Sequence, residues 1–211
     1  WEIVEQVRAV RSDLAQTTPG GRVHGVLFQG MGEPLANVDR VIAAIRVLAD
    51  PSAQAVDMRN ITVCTAGLPS GIARLADEVP AARLGLSLGS VSPGKRRRLM
   101  PIDGAHPLDE VIAAVVAHAK KTRQSPMFAY ALLADENDAT SDAEALADLA
   151  TSFAERSGVR PRVSLIPYND IGDGVFRRSS AERLAAFRAH LSTRGVGSIV
   201  RYSGRSDVGA A

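Results

Sequence analysis

Four short segments carry side chains whose types and placement permit ligand chemistry. Gln29-Gly30-Met31-Gly32-Glu33-Pro34 sets glycines beside a carboxylate, and Cys64-Thr65-Ala66-Gly67 holds a thiol. Ser87-Leu88-Gly89-Ser90 offers hydroxyls, and Pro167-Tyr168-Asn169-Asp170 an amide and a carboxylate. Glycine lets a backbone approach a ligand closely. Glu33 could hold a ligand's ammonium group or, equally well, cap the helix after it. The first segment is not a phosphate loop, since Gly-x-x-x-x-Gly-Lys-Ser/Thr is absent. Gly30-Met31-Gly32 does not complete Gly-x-Gly-x-x-Gly either, because Leu35 takes the final position. No Gly-x-Ser-x-Gly elbow marks a serine hydrolase.

Cys64 is the single cysteine, which excludes an internal disulfide and an iron–sulfur cluster held by several thiolates of these residues. At a strand end it could serve as ligand or nucleophile, although a small thiol in a buried strand more often only packs. Ser87 could bond a ligand or its own backbone, and Asn169 suits the turn it sits in. His24, His106, His118 and His190 do not pair at metal-ligand spacing, so no metal site is expected within the chain. Lys95-Arg96-Arg97-Arg98 is the densest charge run. It suits phosphate contacts, though an isolated run is more often a solvated helix turn. Arg177-Arg178 could extend it. Aromatic residues are only 4% of the chain, too few for a base-stacking platform.

These segments need strands and helices to position them. Apolar runs at Val23–Phe28, Ile61–Thr65, Leu84–Leu88, Met127–Leu133, Val163–Ile166 and Ser198–Tyr202 read as strands. Between them, Val38/Val41/Ile42/Ile45/Leu48 and Leu108/Val111/Ile112/Val115 recur at helical spacing, as do Ile3/Val7/Val10/Leu14 at the start. Ser141 with Glu144 and Ser179 with Glu182 are capping-box signatures. Strands alternating with helices imply parallel βαβ units, and in such folds ligands gather at the carboxyl ends of the strands. Each of the four segments follows its strand directly, so all four are expected on one rim. Periodicity alone leaves a doubly wound sheet and an incomplete barrel equally open. At 211 residues, 45% hydrophobic and 23% charged, the chain has ordinary globular composition. Its net charge of +2 does not by itself declare a nucleic-acid binder, and no apolar run approaches the ~20 residues of a membrane span.

In order and spacing, the segments resemble the radical S-adenosylmethionine (SAM) ribosomal-RNA adenine-C2 methyltransferases. The residues carrying the resemblance are Phe28 to Leu35, Ile61 to Gly67, Leu86-Ser87-Leu88, Arg98-Leu99-Met100-Pro101-Ile102 and Leu165 to Asn169. The opening Glu2 to Val7 resembles the helix after the family's cluster loop, and Gly204 to Ala211 the approach to its methyl-carrying cysteine. The resemblance implies an α/β fold, a partial (β/α) barrel of the radical SAM type incomplete at its N-terminal end, with residues 1–211 forming one truncated core domain. It implies SAM and a [4Fe–4S] cluster as cofactors. Gly32 and Glu33 would hold the SAM amino-acid end. Cys64, Ser87, Leu88 and Gly89 would line its pocket, and Asn169 would contact it; Lys95, Arg96, Arg97 and Arg98 remain a weaker RNA-contact candidate.

The implied activity is methylation of carbon 2 of an adenine in 23S ribosomal RNA, and in some members transfer RNA. It would be carried out by a cytoplasmic monomer served by a single-electron donor. Cluster ligands in a Cys-x-x-x-Cys-x-x-Cys pattern would precede Trp1, and the methyl-carrying cysteine would follow Ala211. No catalytic residue is therefore expected within the 211 residues, and the segment alone is expected to be inactive. Cys64 stands where the family usually has Ser, Gly89 where it has His, Ala129 where Glu is frequent, and Asp170 where Pro is common. These departures keep two alternatives open. One is a catalytically inactive or divergent SAM- and RNA-binding relative; the other is a metal-independent barrel lyase or isomerase using Glu33 as base.

Overall fold

The computed structural model describes residues 1–29, 32–169 and 174–202. Gly30 and Met31 of the first rim segment, Asp170, and the 204–211 motif lie outside the described residues. The elements in chain order are α1 (Glu2–Thr17), β1 (Val26–Phe28), α2 (Val38–Ala49), β2 (Ile61–Thr65), α3 (Pro69–Glu78) and β3 (Arg83–Ser87). They continue with α4 (Pro93–Leu99), α5 (Leu108–Thr122), β4 (Met127–Leu132), α6 (Thr140–Ser157), β5 (Arg162–Pro167), α7 (Ala181–Thr193) and β6 (Ser198–Val200).

The six strands form one all-parallel sheet in the order β1-β2-β3-β4-β5-β6. That order decides between the two architectures left open by periodicity. A doubly wound sheet reverses its strand order so that helices cover both faces. Strictly sequential order with right-handed crossovers sends every helix to the same face. The chain is therefore the partial barrel, with a helix-covered outer face and an inner face turned away from the helices.

Registered partners in a parallel sheet share a face, so the pairing sorts the side chains. Val63 and Leu84 form one outer row, Leu86, Phe128 and Val163 another, and Tyr130 and Leu165 a third. These residues are buried beneath the helices. Phe153 meets Phe128 edge-on with ring centroids 5.2 Å apart, and Phe187 packs on Tyr130 at 5.6 Å. The inner face carries Leu27-Thr62-Arg83, then Cys64-Gly85-Met127-Arg162, then Ser87-Ala129-Ser164-Ile199. Leu27 and Ile199, on the two edge strands, are exposed.

Several elements begin or end elsewhere than their sequence suggests. β1 starts at Val26 rather than Val23, because it pairs with β2 alone and the ladder opens only at Val26↔Ile61. β6 likewise stops at Val200, at the opposite edge. α6 begins before Ser141. Ala139 precedes its first turn and the Asp142 carboxylate accepts the Ala139 N–H at 3.2 Å, so Asp142 takes the role expected of Glu144. α7 is capped by Ser180, whose hydroxyl oxygen accepts the Arg183 N–H at 3.2 Å. Ser179 turns inward and donates to Asp138 at 2.7 Å. In both helices the alternative acceptor lay within three residues, and the tertiary contacts of the turn selected it.

His118 lies inside α5 with 2% of its surface exposed, and burial pulls its pKa from 6.5 to about 4. The unfolded chain binds a proton there before the folded one does. Stability from the neutral imidazole is therefore complete above pH 6.5 and is lost as pH falls toward 4. Urea titrations should show unfolding free energy dropping by about 1–2 kcal/mol between pH 6.5 and 5. His118→Gln should flatten that slope; an equal slope in the variant removes His118 as its source.

Candidate functional site

The rim is built from backbone and held by a few polar side chains. Gly32 has φ of +102°, a left-handed conformation open to glycine without strain, and it delivers the chain into Glu33. The Glu33 carboxylate caps the 3₁₀ turn at Pro34–Asn37, its Oε1 accepting the Leu35 N–H at 2.9 Å. Its Oε2 accepts the Ala66 N–H at 2.7 Å. The structure thus shows the cap reading of Glu33, and its second oxygen reaches across to the loop after β2. Gly67, next along that loop, has φ of +116°, and a Cβ there would lie 2.6 Å from Val111 Cγ1. Glycine is needed at this position for conformation and for space.

Arg96 joins that loop to the next. It is 0% exposed, and its guanidinium donates to the Ala66 carbonyl at 3.0 Å and to the carbonyls of Ser87 and Leu88. Nε donates to Asp103 at 2.8 Å, while Nη1 also faces Met100 Sδ at 3.4 Å. Burial pulls the guanidinium pKa down and the Asp103 pair opposes it. The backbone of Ala66 is therefore gripped from both sides, its N–H by Glu33 and its carbonyl by Arg96.

The network continues through Asn137, which is fully buried. Its side-chain amide donates to the carbonyls of Gly89 at 2.6 Å and Ala131 at 2.8 Å, and accepts the Leu133 N–H at 2.8 Å. Tyr130 adds its hydroxyl, donating to the Asn137 carbonyl at 2.9 Å. At the fourth segment, Tyr168 N–H donates to the Leu132 carbonyl at 3.3 Å, and Asn169 Oδ1 accepts from Arg178 at 3.1 Å. The loops after β1, β2, β3, β4 and β5 form one hydrogen-bonded rim.

Cys64 and Ser87 lie on the inner face of this rim. The Cys64 thiol sits over Gly85, where a Cβ would come within 2.7 Å of Sγ. Burial raises its pKa, with Arg201 lowering it and Glu33 adding to the rise, so the group is held as a thiol rather than an activated thiolate. Leu88 is fully buried against the helix layer, so only its backbone faces the rim loop. Gly89 has φ of +63°, and a Cβ would meet Met100 Sδ at 2.5 Å. The conformation and the position of Met100 together account for glycine at 89.

The basic run does not act as one patch. Arg96 has no surface to offer a phosphate, because the α4 turn directs it inward as the tie between loops. Lys95 donates to both carboxylate oxygens of buried Asp142 at 2.7 Å, and Arg98 pairs with Glu136. Arg97 is exposed, without an ion pair among the described residues. Arg177 pairs with Asp135 instead of joining this run. Sequence reasoning missed Asn137, Asp103, the buried role of Arg96 and the inner-face Ser164. Asn137 and Asp103 lie outside any strand-end motif, and only the packed loops reveal them.

Among curated proteins, the chain is similar along its whole length to a probable RNA methyltransferase of Sorangium cellulosum, at 68% identity, covering 58% of that relative. It is 38% identical to the dual-specificity RNA methyltransferase RlmN of Syntrophobacter fumaroxidans, again over 100% of this chain and 58% of the relative. The chain thus spans little more than half the length of these relatives. The crystal structure of a radical SAM methyltransferase from Sphaerobacter thermophilus matches with a TM-score of 0.90 at 33% identity, covering 98% of this chain and 58% of that one. No protein-family model matches the chain.

Proposed function

The chain belongs to the family of RlmN-type radical SAM RNA methyltransferases, and from that premise we propose that it forms the SAM-holding barrel of a protein that methylates an RNA adenine at carbon 2. The substrate would be 23S ribosomal RNA, with transfer RNA as a second substrate. The end-to-end likeness to RNA methyltransferase relatives carries this reading. Its chemistry is coherent, because an unactivated aromatic C–H is out of reach of side-chain acids and bases and calls for cofactor-borne radical chemistry.

The rim suits SAM. A zwitterionic ligand wants a carboxylate, polar side chains and accessible backbone on one surface. Glu33 supplies the carboxylate for its ammonium group, with Gly32 allowing close approach. Cys64, Ser87 and the backbone of Leu88 and Gly89 would line the rest, and Asn169 would close the far side. The same residues do not suit the iron–sulfur cluster, since Cys64 is the single cysteine and is buried. Its ligands belong to sequence beyond these 211 residues, and the segment alone is expected to transfer no methyl group. The proposal includes a monomer in the cytoplasm, served by a single-electron donor. No helix among the described residues is long and apolar enough to cross a membrane.

The test uses the intact protein with SAM, a one-electron reductant and RNA, followed by nucleoside analysis. 2-Methyladenosine bearing the SAM methyl group supports the reading. Saturable SAM binding without transfer would leave the non-catalytic relative, and no SAM binding would sink both. For the basic run, replacing Arg97 with Ala should lower the salt slope of RNA binding by about 1, since Lys95 and Arg98 are paired with carboxylates and Arg96 is buried. An unchanged slope would leave Arg97 as part of a solvated helix turn.

A further inference from the structure

The inner face holds a second cavity at the end of the sheet opposite the rim. Arg83 and Arg162 are the first residues of β3 and β5, whereas the rim lies at the strands' carboxyl ends. Arg201 follows β6 at the carboxyl end, where its charge acts on Cys64, and its side chain reaches back to Met127. The three arginines line a cavity of about 330 Å³ together with Thr62, Met127 and Ser164. That volume sits at the lower end of small-molecule sites, roughly 300–1,000 Å³. Among the described residues, no carboxylate lines it. Among the described residues, none of the three guanidinium groups makes a salt bridge, and Arg201 makes do with the soft sulfur of Met127. Arg162, exposed at the start of β5, is held below its usual pKa by partial desolvation first and by the Arg83 charge second.

Ser164 supplies an independent sign of a ligand. Its residue is 0% exposed, and its hydroxyl is buried without a hydrogen-bond partner among the described residues. A buried unpartnered hydroxyl carries a desolvation penalty, and like charges gathered in one cavity repel. A dianionic oxyanion removes both penalties, because guanidinium forks match phosphate oxygens and the hydroxyl can donate to another. We propose that this cavity is a phosphate site, taking a phosphate monoester group separate from the SAM rim.

The experiment is titration of the intact protein with inorganic phosphate at constant ionic strength, by calorimetry and thermal shift. Saturable binding is expected, weakened at least about tenfold by Arg83→Ala or Arg162→Ala, and about tenfold by Ser164→Ala, as for loss of a hydrogen bond to a charged group. Without phosphate, Arg162→Ala should leave a cooperative thermal transition, because it removes the repulsion from Arg83 and no ion pair of its own among the described residues; this readout also shows that the variant folds. A 5′-phosphorylated oligoribonucleotide is then compared with its dephosphorylated form. Preference for the phosphorylated end assigns the site to RNA termini, and equal affinities for both with phosphate still bound assign it to a free phosphorylated small molecule. No saturable phosphate binding, or binding unchanged in the arginine variants, overturns the proposal. A parallel loss of SAM affinity in those variants would make the cavity part of the rim and overturn it as a separate site. The proposal does not rest on the methyltransferase reading, since phosphate binding is measured without SAM.

Discussion

Replacing Glu33 with Ala in the intact protein is expected to weaken SAM binding by about 2–4 kcal/mol, roughly 30- to 1,000-fold in Kd. The loss combines the missing ion pair with the cost of leaving a ligand ammonium unpaired in a partly enclosed rim. It is sharpened by the structure, because both carboxylate oxygens are oriented by backbone donors, Leu35 N–H on one and Ala66 N–H on the other. Equilibrium dialysis with SAM measures it directly. Release of the Ala66 loop could also lower affinity, and a second ligand separates the two causes. 5′-Methylthioadenosine lacks the amino-acid end. Its affinity should hold in Glu33→Ala if the carboxylate pairs with the ammonium, and fall with that of SAM if the loop has merely come loose. Unchanged SAM affinity in a folded variant would end the assignment of Glu33.

The second large effect is on stability. Arg96→Met is expected to lower the unfolding free energy by about 3–5 kcal/mol, the range for removing one partner of a buried ion pair. Asp103 would be left almost wholly buried without its counter-charge. The carbonyls of Ala66, Ser87 and Leu88 would lose donors at the same time. Arg96→Lys should recover less than half, because an ammonium point charge cannot span three carbonyls and a carboxylate as the planar fork does. Asp103→Asn should be milder, about 1–2 kcal/mol, since the amide oxygen still accepts from Nε. Urea unfolding of the three variants orders them. A shift below about 1 kcal/mol for Arg96→Met would mean that the network is redundant.

These two residues show where the sequence was readable and where it was not. The capping role of Glu33 was legible because its neighbours are local: the glycine before it, the proline after it, and a strand just upstream. Its second contact was not, because the Ala66 N–H that meets Oε2 lies 33 residues away. Arg96 was not legible, because its role depends on which side of α4 faces the loops after β2 and β3. Within Lys95-Arg96-Arg97-Arg98 the four charges look alike, yet three are paired, Arg96 of them fully buried, and Arg97 is exposed without an ion pair among the described residues. The helix caps behaved similarly. Ser179 and Ser180 are both competent acceptors, and the pull of Asp138 on Ser179 left the cap to Ser180.

By itself the sequence determined the alternation of strands and helices, the strand-end position of the candidate residues and the family. Each rests on local periodicity or on the order of short motifs, and both survive without knowledge of distant contacts. The helical stripe of Val111, Ile112 and Val115 and the buried run of Ile61 to Thr65 are examples. The partial barrel was implied by the family resemblance but not by periodicity, and the strand pairing showed it: the sheet runs in sequential order, which turns every helix to one side and leaves an inner face. Only the tertiary structure decided the side-chain network. It alone brought Arg96, Asn137 and Asp103 to the rim, and gathered Arg83, Arg162, Arg201 and Ser164 around one cavity. The physical reason is that a strand's pairing partner and a loop's hydrogen bonds are fixed by groups tens of residues away, and the energy of those contacts is not written in either segment alone.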